Sequence, residues 1–229
     1  ILIARAEEKR SKGIPLTDAD KYPYLARSYL VANAENKDRK LDEILTTEFN
    51  NKLNLTLIYC TSHPREDAPP DAPKQLERVK NILFEKGIKS DSVTYEDPTK
   101  TRGDILKLLE SSIFGCITAV RCLDEGVDIP SVKVAIFMAS SGNPKQFIQR
   151  RGRVLRKEKG VDKVAIIHDF IALPNGNIEE GNDIVKVALE KEIKRFKEFA
   201  EDSDNKDEAR DVIFKIALDN GIVISLNIR

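Results

Sequence analysis

The residues best suited to chemistry lie in one run, Gln146-Phe147-Ile148-Gln149-Arg150-Arg151-Gly152-Arg153-Val154-Leu155-Arg156-Lys157. Between Lys145 and Lys159 there are seven basic residues and one acid, a local charge of +6. The pattern predicts a helix over 144–157, with Pro144 near its first turn. On such a helix Gln149, Arg153 and Arg156 are spaced i, i+4, i+7 and share one face. Two guanidinium groups one turn apart form a clamp for a polyphosphate, because arginine is always charged and presents a planar fork of donors. Gly152 removes a side chain where something must approach closely. Phe147, Ile148 and Leu155 are placed to anchor the helix. The plain alternative is a solvated basic face, which most charge runs are.

A second run precedes the first: Ala119-Val120-Arg121-Cys122-Leu123-Asp124-Glu125-Gly126-Val127-Asp128-Ile129-Pro130. It reads as a strand entering a loop with one glycine. Such a loop presents backbone N–H groups to phosphate and one carboxylate, Asp128, to a ribose hydroxyl. By itself Asp128 could simply cap a turn. Followed some twenty residues later by Gln-Arg-Arg-Gly-Arg-x-x-Arg, the pair is a far more specific signal.

Elements must hold these runs in place. Short apolar, β-branched stretches at 55–60, 92–95, 116–120, 132–138 and 164–170 predict five strands. Amphipathic stretches at 74–86, 101–113 and 144–157 predict helices between them, the first stopped by Gly87. Strands alternating with helices imply a parallel sheet with helices on both faces, whose ligands bind at the carboxyl ends of the strands. Residues 1–50 read as a helical N-terminal extension, 51–172 as the α/β domain, and 173–229 as a helical C-terminal appendage with helices at 183–201 and 206–220.

Composition sets the bounds. The 229 residues carry 38 Lys+Arg and 38 Asp+Glu, with 41% hydrophobic and 33% charged residues. That balance excludes a disordered polyelectrolyte and a uniformly basic nucleic-acid binder, but not a local basic stripe. No run approaches the roughly 18 apolar residues of a membrane span, and the start of the chain does not read as a signal peptide. Cys60, Cys116 and Cys122 form no CxxC pair, which suits buried thiols in a reducing, cytoplasmic setting.

The two chemical runs resemble motifs V and VI of the superfamily 2 helicases. Their spelling is most similar to the DEAD/DEAH-like restriction-type branch, and Leu57-Ile58-Tyr59-Cys60 resembles motif IV. The resemblance covers about residues 40–172. It implies a second RecA-like domain of a DNA helicase or translocase, working in a restriction or phage-defence system. It further implies that Arg153 and Arg156 act as arginine fingers on ATP, and that Gln149, Gly126, Asp128 and Gly152 line the nucleotide. The strand-end loops around Thr61, Ser62, Thr94 and Thr118 would follow a nucleic-acid backbone, without sequence preference.

The departures are as informative. There is no G-x-x-x-x-G-K-[ST] and no Asp-Glu-x-His or Asp-Glu-Ala-Asp box in the chain. ATP and Mg²⁺ would then be held mainly by a first RecA-like domain of the same polypeptide, and this chain alone should not turn over ATP. Nuclease or methyltransferase domains or subunits are further partners that the resemblance implies; no membrane partner and no metal site are expected. Two other readings stand beside it. One is a non-motor nucleic-acid-binding module that kept the fold, or an RNA motor in place of a DNA one. The other is a divalent-metal nuclease built on Asp183, Glu192 and Lys194. Those three fall in a strongly helical stretch, where a solvated helix with Glu–Lys pairing is the expectation. His168-Asp169 reads as a strand-end histidine packed beside a carboxylate, with no nucleophile motif nearby.

Overall fold

A computed structural model describes residues 8–9, 11–19, 31–34, 36–62, 72–120, 132–139, 164–173, 183–201 and 203–222. The chain forms two units, residues 1–170 and residues 171–229.

The first unit is built on a five-stranded sheet. In chain order its elements are α1 (Asn36–Thr47), β1 (Thr56–Tyr59), α2 (Gln75–Glu85), β2 (Ser90–Thr94), α3 (Thr99–Glu110), β3 (Cys116–Val120), β4 (Val134–Phe137) and β5 (Ile166–Asp169). The strand order is β2-β3-β1-β4-β5 and every pairing is parallel. The three central strands are buried along their whole length, whereas β2 and β5 are partly exposed. This explains why the central strands read as unbroken apolar runs and not as alternating ones. Tyr59 and Phe137, opposite each other in register, stack with ring centroids 4.8 Å apart and an interplanar angle of 5°.

Chain direction places the helices. The connection through α2 runs outward from β1 to β2, and the one through α3 returns from β2 to β3. Parallel crossovers are right-handed, so two that travel in opposite directions lie on opposite faces of the sheet. One face buries Ile58 of β1 and Cys60 just after it, Cys116 and Val120 of β3, and Ile136 and Met138 against Val79 and Leu83 of α2. Leu41, Ile44 and Leu45 of α1 belong to the same core. The sequence-based boundary at residue 50 therefore divides this core, because α1 packs into it as one of its layers. Fully burying side chains of this size removes about 1.5–3 kcal/mol of exposure cost for each, which binds α1 to the domain. Gly87, at φ +68°, ends α2 in the left-handed conformation that glycine adopts without strain; its N–H donates to Phe84 O at 2.9 Å.

The second unit holds α4 (Asp183–Ala200) and α5 (Lys206–Asp219). They pack through Leu189, Ile193, Ile213, Ala217 and Ile222. Among the described residues no helix is long and apolar enough to cross a membrane.

Candidate nucleotide and nucleic-acid site

In a parallel sheet all carboxyl ends share one edge, and a ligand crevice opens where the strand order reverses. Here the chain passes from β1 to β2, back to β3, and then to β4 on the other side of β1. The strands β3 and β4 thus flank β1 at the reversal. Their ends lie level, since Tyr59 pairs with Ala119 on one side and Phe137 on the other. Cys60 N–H donates to Ala119 O at 2.9 Å, and the N–H groups of Met138 and Ala139 both donate to Tyr59 O at 3.0 Å. Val120 and Ala139, the last described residues before the two chemical runs, therefore lie at strand ends on either side of β1. Gly126, Asp128, Gln149, Gly152, Arg153 and Arg156 themselves lie outside the described residues, as do Arg150, Cys122 and His63.

The four hydroxyl residues are described, and they differ. Thr61 and Ser62 follow β1 after Cys60; Thr61 is 9% exposed and its N–H donates to Gln75 Oε1 at 2.9 Å. Thr94 ends β2, two strand spacings or roughly 10 Å from β1. Its N–H and its hydroxyl both donate to Asp97 Oδ2, at 2.6 and 2.9 Å, and Glu96 N–H donates back to Thr94 Oγ1 at 3.3 Å. With its hydroxyl proton committed to a carboxylate, Thr94 offers a phosphate little. Thr118 requires a correction: it sits inside β3 with no exposure, and its hydroxyl donates to Asp91 O at 3.2 Å. A fully buried mid-strand hydroxyl that bonds the neighbouring strand is part of the sheet, not of a strand-end loop.

Polar residues that the sequence reading passed over surround this edge. Gln75, with no exposure, donates to Ala32 O at 2.6 Å besides accepting from Thr61. Arg78 Nε lies 2.7 Å from Asp38 Oδ2, and its Nη2 donates to Asn33 Oδ1 at 3.1 Å. Lys37 Nζ donates to Met138 O at 2.9 Å. Spacing carried the signal: Lys37 precedes Leu41, and Gln75 precedes Val79 and Leu83, at steps of four that place them on the buried stripes.

Three other residue sets can be assigned. His168 Nε2 lies 3.7 Å from Glu48 Oε2, and the ring meets Phe49 edge-on with centroids 5.5 Å apart. Burial pushes its pKa down, partly offset by Glu48. Burial raises the Cys116 thiol to about 12 and Cys60 still further. On α4, Glu192 is 6% exposed and pairs with Arg195 at 3.0 Å, while Lys194 is exposed. Glu192 is therefore not a solvated residue but holds a buried pair with arginine. Among the described residues no group of three His, Cys, Asp or Glu side chains could hold a metal ion.

Comparison with known proteins agrees with this arrangement. Residues 36–158 match the family described as "Helicase conserved C-terminal domain". The chain is 38% identical over 142 residues to "DNA 3'-5' translocase XPB2" of Sulfurisphaera tokodaii, covering 62% of this chain and 28% of that protein. It is 28% identical over 126 residues to "Putative ATP-dependent RNA helicase MJ1505" of Methanocaldococcus jannaschii, covering 52% of this chain and 15% of that one. It is 33% identical over 92 residues to "UvrABC system protein B" of Listeria monocytogenes, covering 38% and 14%. The chain thus spans less than a third of the length of each of these relatives. The family match takes in more than half of the chain, including the core helix α1 and both chemical runs, and the chain belongs to the helicase conserved C-terminal domain family.

Proposed function

We propose that this chain is the second motor domain of an ATP-dependent DNA helicase or translocase, of the restriction or phage-defence kind. The observation that carries the reading is the topology at the carboxyl edge. The strands leading into the glycine loop and towards the basic run flank the strand that leads into Thr61 and Ser62. A nucleotide on one side and a nucleic-acid strand on the other can then be served by adjoining loops. The family uses ATP, with Mg²⁺, and the arrangement of strand ends fits a nucleotide at the reversal point. Arg153 and Arg156 would meet the charge that develops on the γ-phosphate, with Gln149, Gly126, Asp128 and Gly152 beside the nucleotide. A finger of this kind is worth roughly 10³ to 10⁵ in rate. The chain has no phosphate-cradling P-loop, so a first RecA-like domain of the same polypeptide would hold most of the ATP and Mg²⁺. In this reading the partly exposed Ser62 and its neighbour Thr61 would make the backbone contacts.

DNA as substrate is supported by the name of the 38%-identical relative, a DNA translocase. RNA is the second reading, favoured by the relative named as an RNA helicase. The restriction role rests on the spelling of residues 119–130 and 146–156 alone.

The test uses the full-length polypeptide. Single-stranded DNA should stimulate ATP hydrolysis more than RNA of the same length does. Arg153→Ala and Arg156→Ala should each abolish turnover while circular dichroism and melting stay unchanged. Turnover at the normal rate in both variants would sink the finger assignment, and preferential stimulation by RNA would replace DNA as substrate.

A further inference from the structure

Gln75 is the first residue of α2 and is fully buried. Both ends of its carboxamide are in use. The oxygen accepts the Thr61 N–H at 2.9 Å, and the nitrogen donates to Ala32 O at 2.6 Å. One planar amide thus joins the loop after β1 to a segment 43 residues before α2. Carboxamides are the side chains that accept and donate from a single rigid group without carrying charge. The segment it holds is fastened again on either side of the edge: Asn33 and Asp38 to Arg78, and Lys37 to the carbonyl after β4. Ala32 is therefore tied to the loop after β1 and Lys37 to the end of β4, through buried polar groups.

We propose that Gln75 is a positioning residue for the nucleic-acid grip, making the Thr61–Ser62 loop move with the segment that leads into α1. The proposal rests on the motor reading above, since it takes Thr61 and Ser62 as backbone contacts. It adds a route by which displacement of residues 32–34 reaches those contacts without passing through the sheet. An apolar side chain at position 75 removes both bonds, whereas a carboxyl there, held neutral by burial, would keep both.

The experiment measures binding of a fluorescently labelled oligo(dT) to the full-length polypeptide by anisotropy, together with KM for ATP and the melting temperature. Gln75→Leu and Gln75→Met should each weaken oligonucleotide binding about tenfold, the effect of one hydrogen bond, with KM for ATP unchanged. The Met variant is the sharper test, because it keeps the length of the side chain while cutting both links. A folded variant of either kind that binds as tightly as wild type overturns the proposal. Loss of folding in both also overturns it, by reducing Gln75 to a stability residue. Failure of the wild-type polypeptide to bind the oligonucleotide is a separate result, and it overturns the motor reading itself.

Discussion

Lys37 and Met138 are 101 residues apart in sequence, and the Lys37 ammonium donates a 2.9 Å hydrogen bond to the Met138 carbonyl. Lys37 is only 5% exposed. A buried ammonium is expensive to desolvate, so its placement must be compensated locally. The bond ties the first turn of α1 to the end of β4. Lys37→Met keeps the length of the stem and deletes the donor to the buried Met138 carbonyl. The expected loss is about 1–3 kcal/mol, read as a lower urea midpoint with an unchanged slope. A higher midpoint would mean that the desolvation cost of the ammonium outweighs its bond.

His168 gives the fold a pH dependence whose sign can be worked out. Burial lowers its folded-state pKa, with Glu48 opposing. The unfolded chain, with histidine near its ordinary value of about 6.5, then binds a proton more readily than the folded one. Its contribution is fully present above that ordinary value and is lost as pH falls through the depressed folded one. Stability of the wild-type chain should decline on acidification from about pH 7 towards about pH 5. His168→Gln should flatten that decline. Parallel stability–pH curves for the two would assign the acid sensitivity to other groups.

Apolar runs located the three central strands, because a strand buried on both faces needs no polar alternation. The role of α1 was less legible. Its charged residues suggested an extension, yet the stripe Leu41, Ile44 and Leu45 is what packs. Lys37 and Gln75 were overlooked because polar residues at a helix start usually face water. The step of four to Leu41 and Val79 placed them inward all the same. Thr118 sits inside the sheet and not in a loop for a related reason, since a hydroxyl in a central strand satisfies itself on the neighbouring backbone. The arginine and glycine runs were legible from spelling, and the sheet supplies what spelling could not: the adjacency of the strand ends from which they continue.

The described thiols should be inert. Cys60 and Cys116 are 5% and 0% exposed. With the Cys116 thiol raised to about 12, its thiolate is on the order of one part in ten thousand at pH 8. Cys60 is raised by burial, with Asp38 and Cys116 adding and Arg78 opposing. Iodoacetamide at pH 8 should leave both unlabelled in the folded chain and label both in urea. Peptide-resolved mass spectrometry reads the two sites separately. Labelling of either at the rate of an unstructured peptide would contradict this burial.

Gly115 shows how tightly the amino edge of the sheet is closed. It precedes β3; its N–H donates to Lys89 O at 2.8 Å, and its carbonyl accepts from Thr56 N–H at 3.3 Å. A Cβ built there would stand 2.5 Å from Leu53 O and 3.2 Å from Leu53 C. Both are backbone atoms, so no side-chain rotation relieves the clash. Either the segment before β1 or the start of β3 must shift, which strains the hydrogen bonds that join them. Gly115→Ala should therefore destabilise the chain by about 1–3 kcal/mol, the usual cost of overpacking. Gly103, with nothing within 4 Å of a Cβ built on it, supplies the control. Because Gly103 lies within α3, Gly103→Ala should instead stabilise by about 0.5–1 kcal/mol through helix propensity. Urea denaturation of the two variants should move in opposite directions; equal effects would show that residue type, not the closeness of Leu53, governs the response.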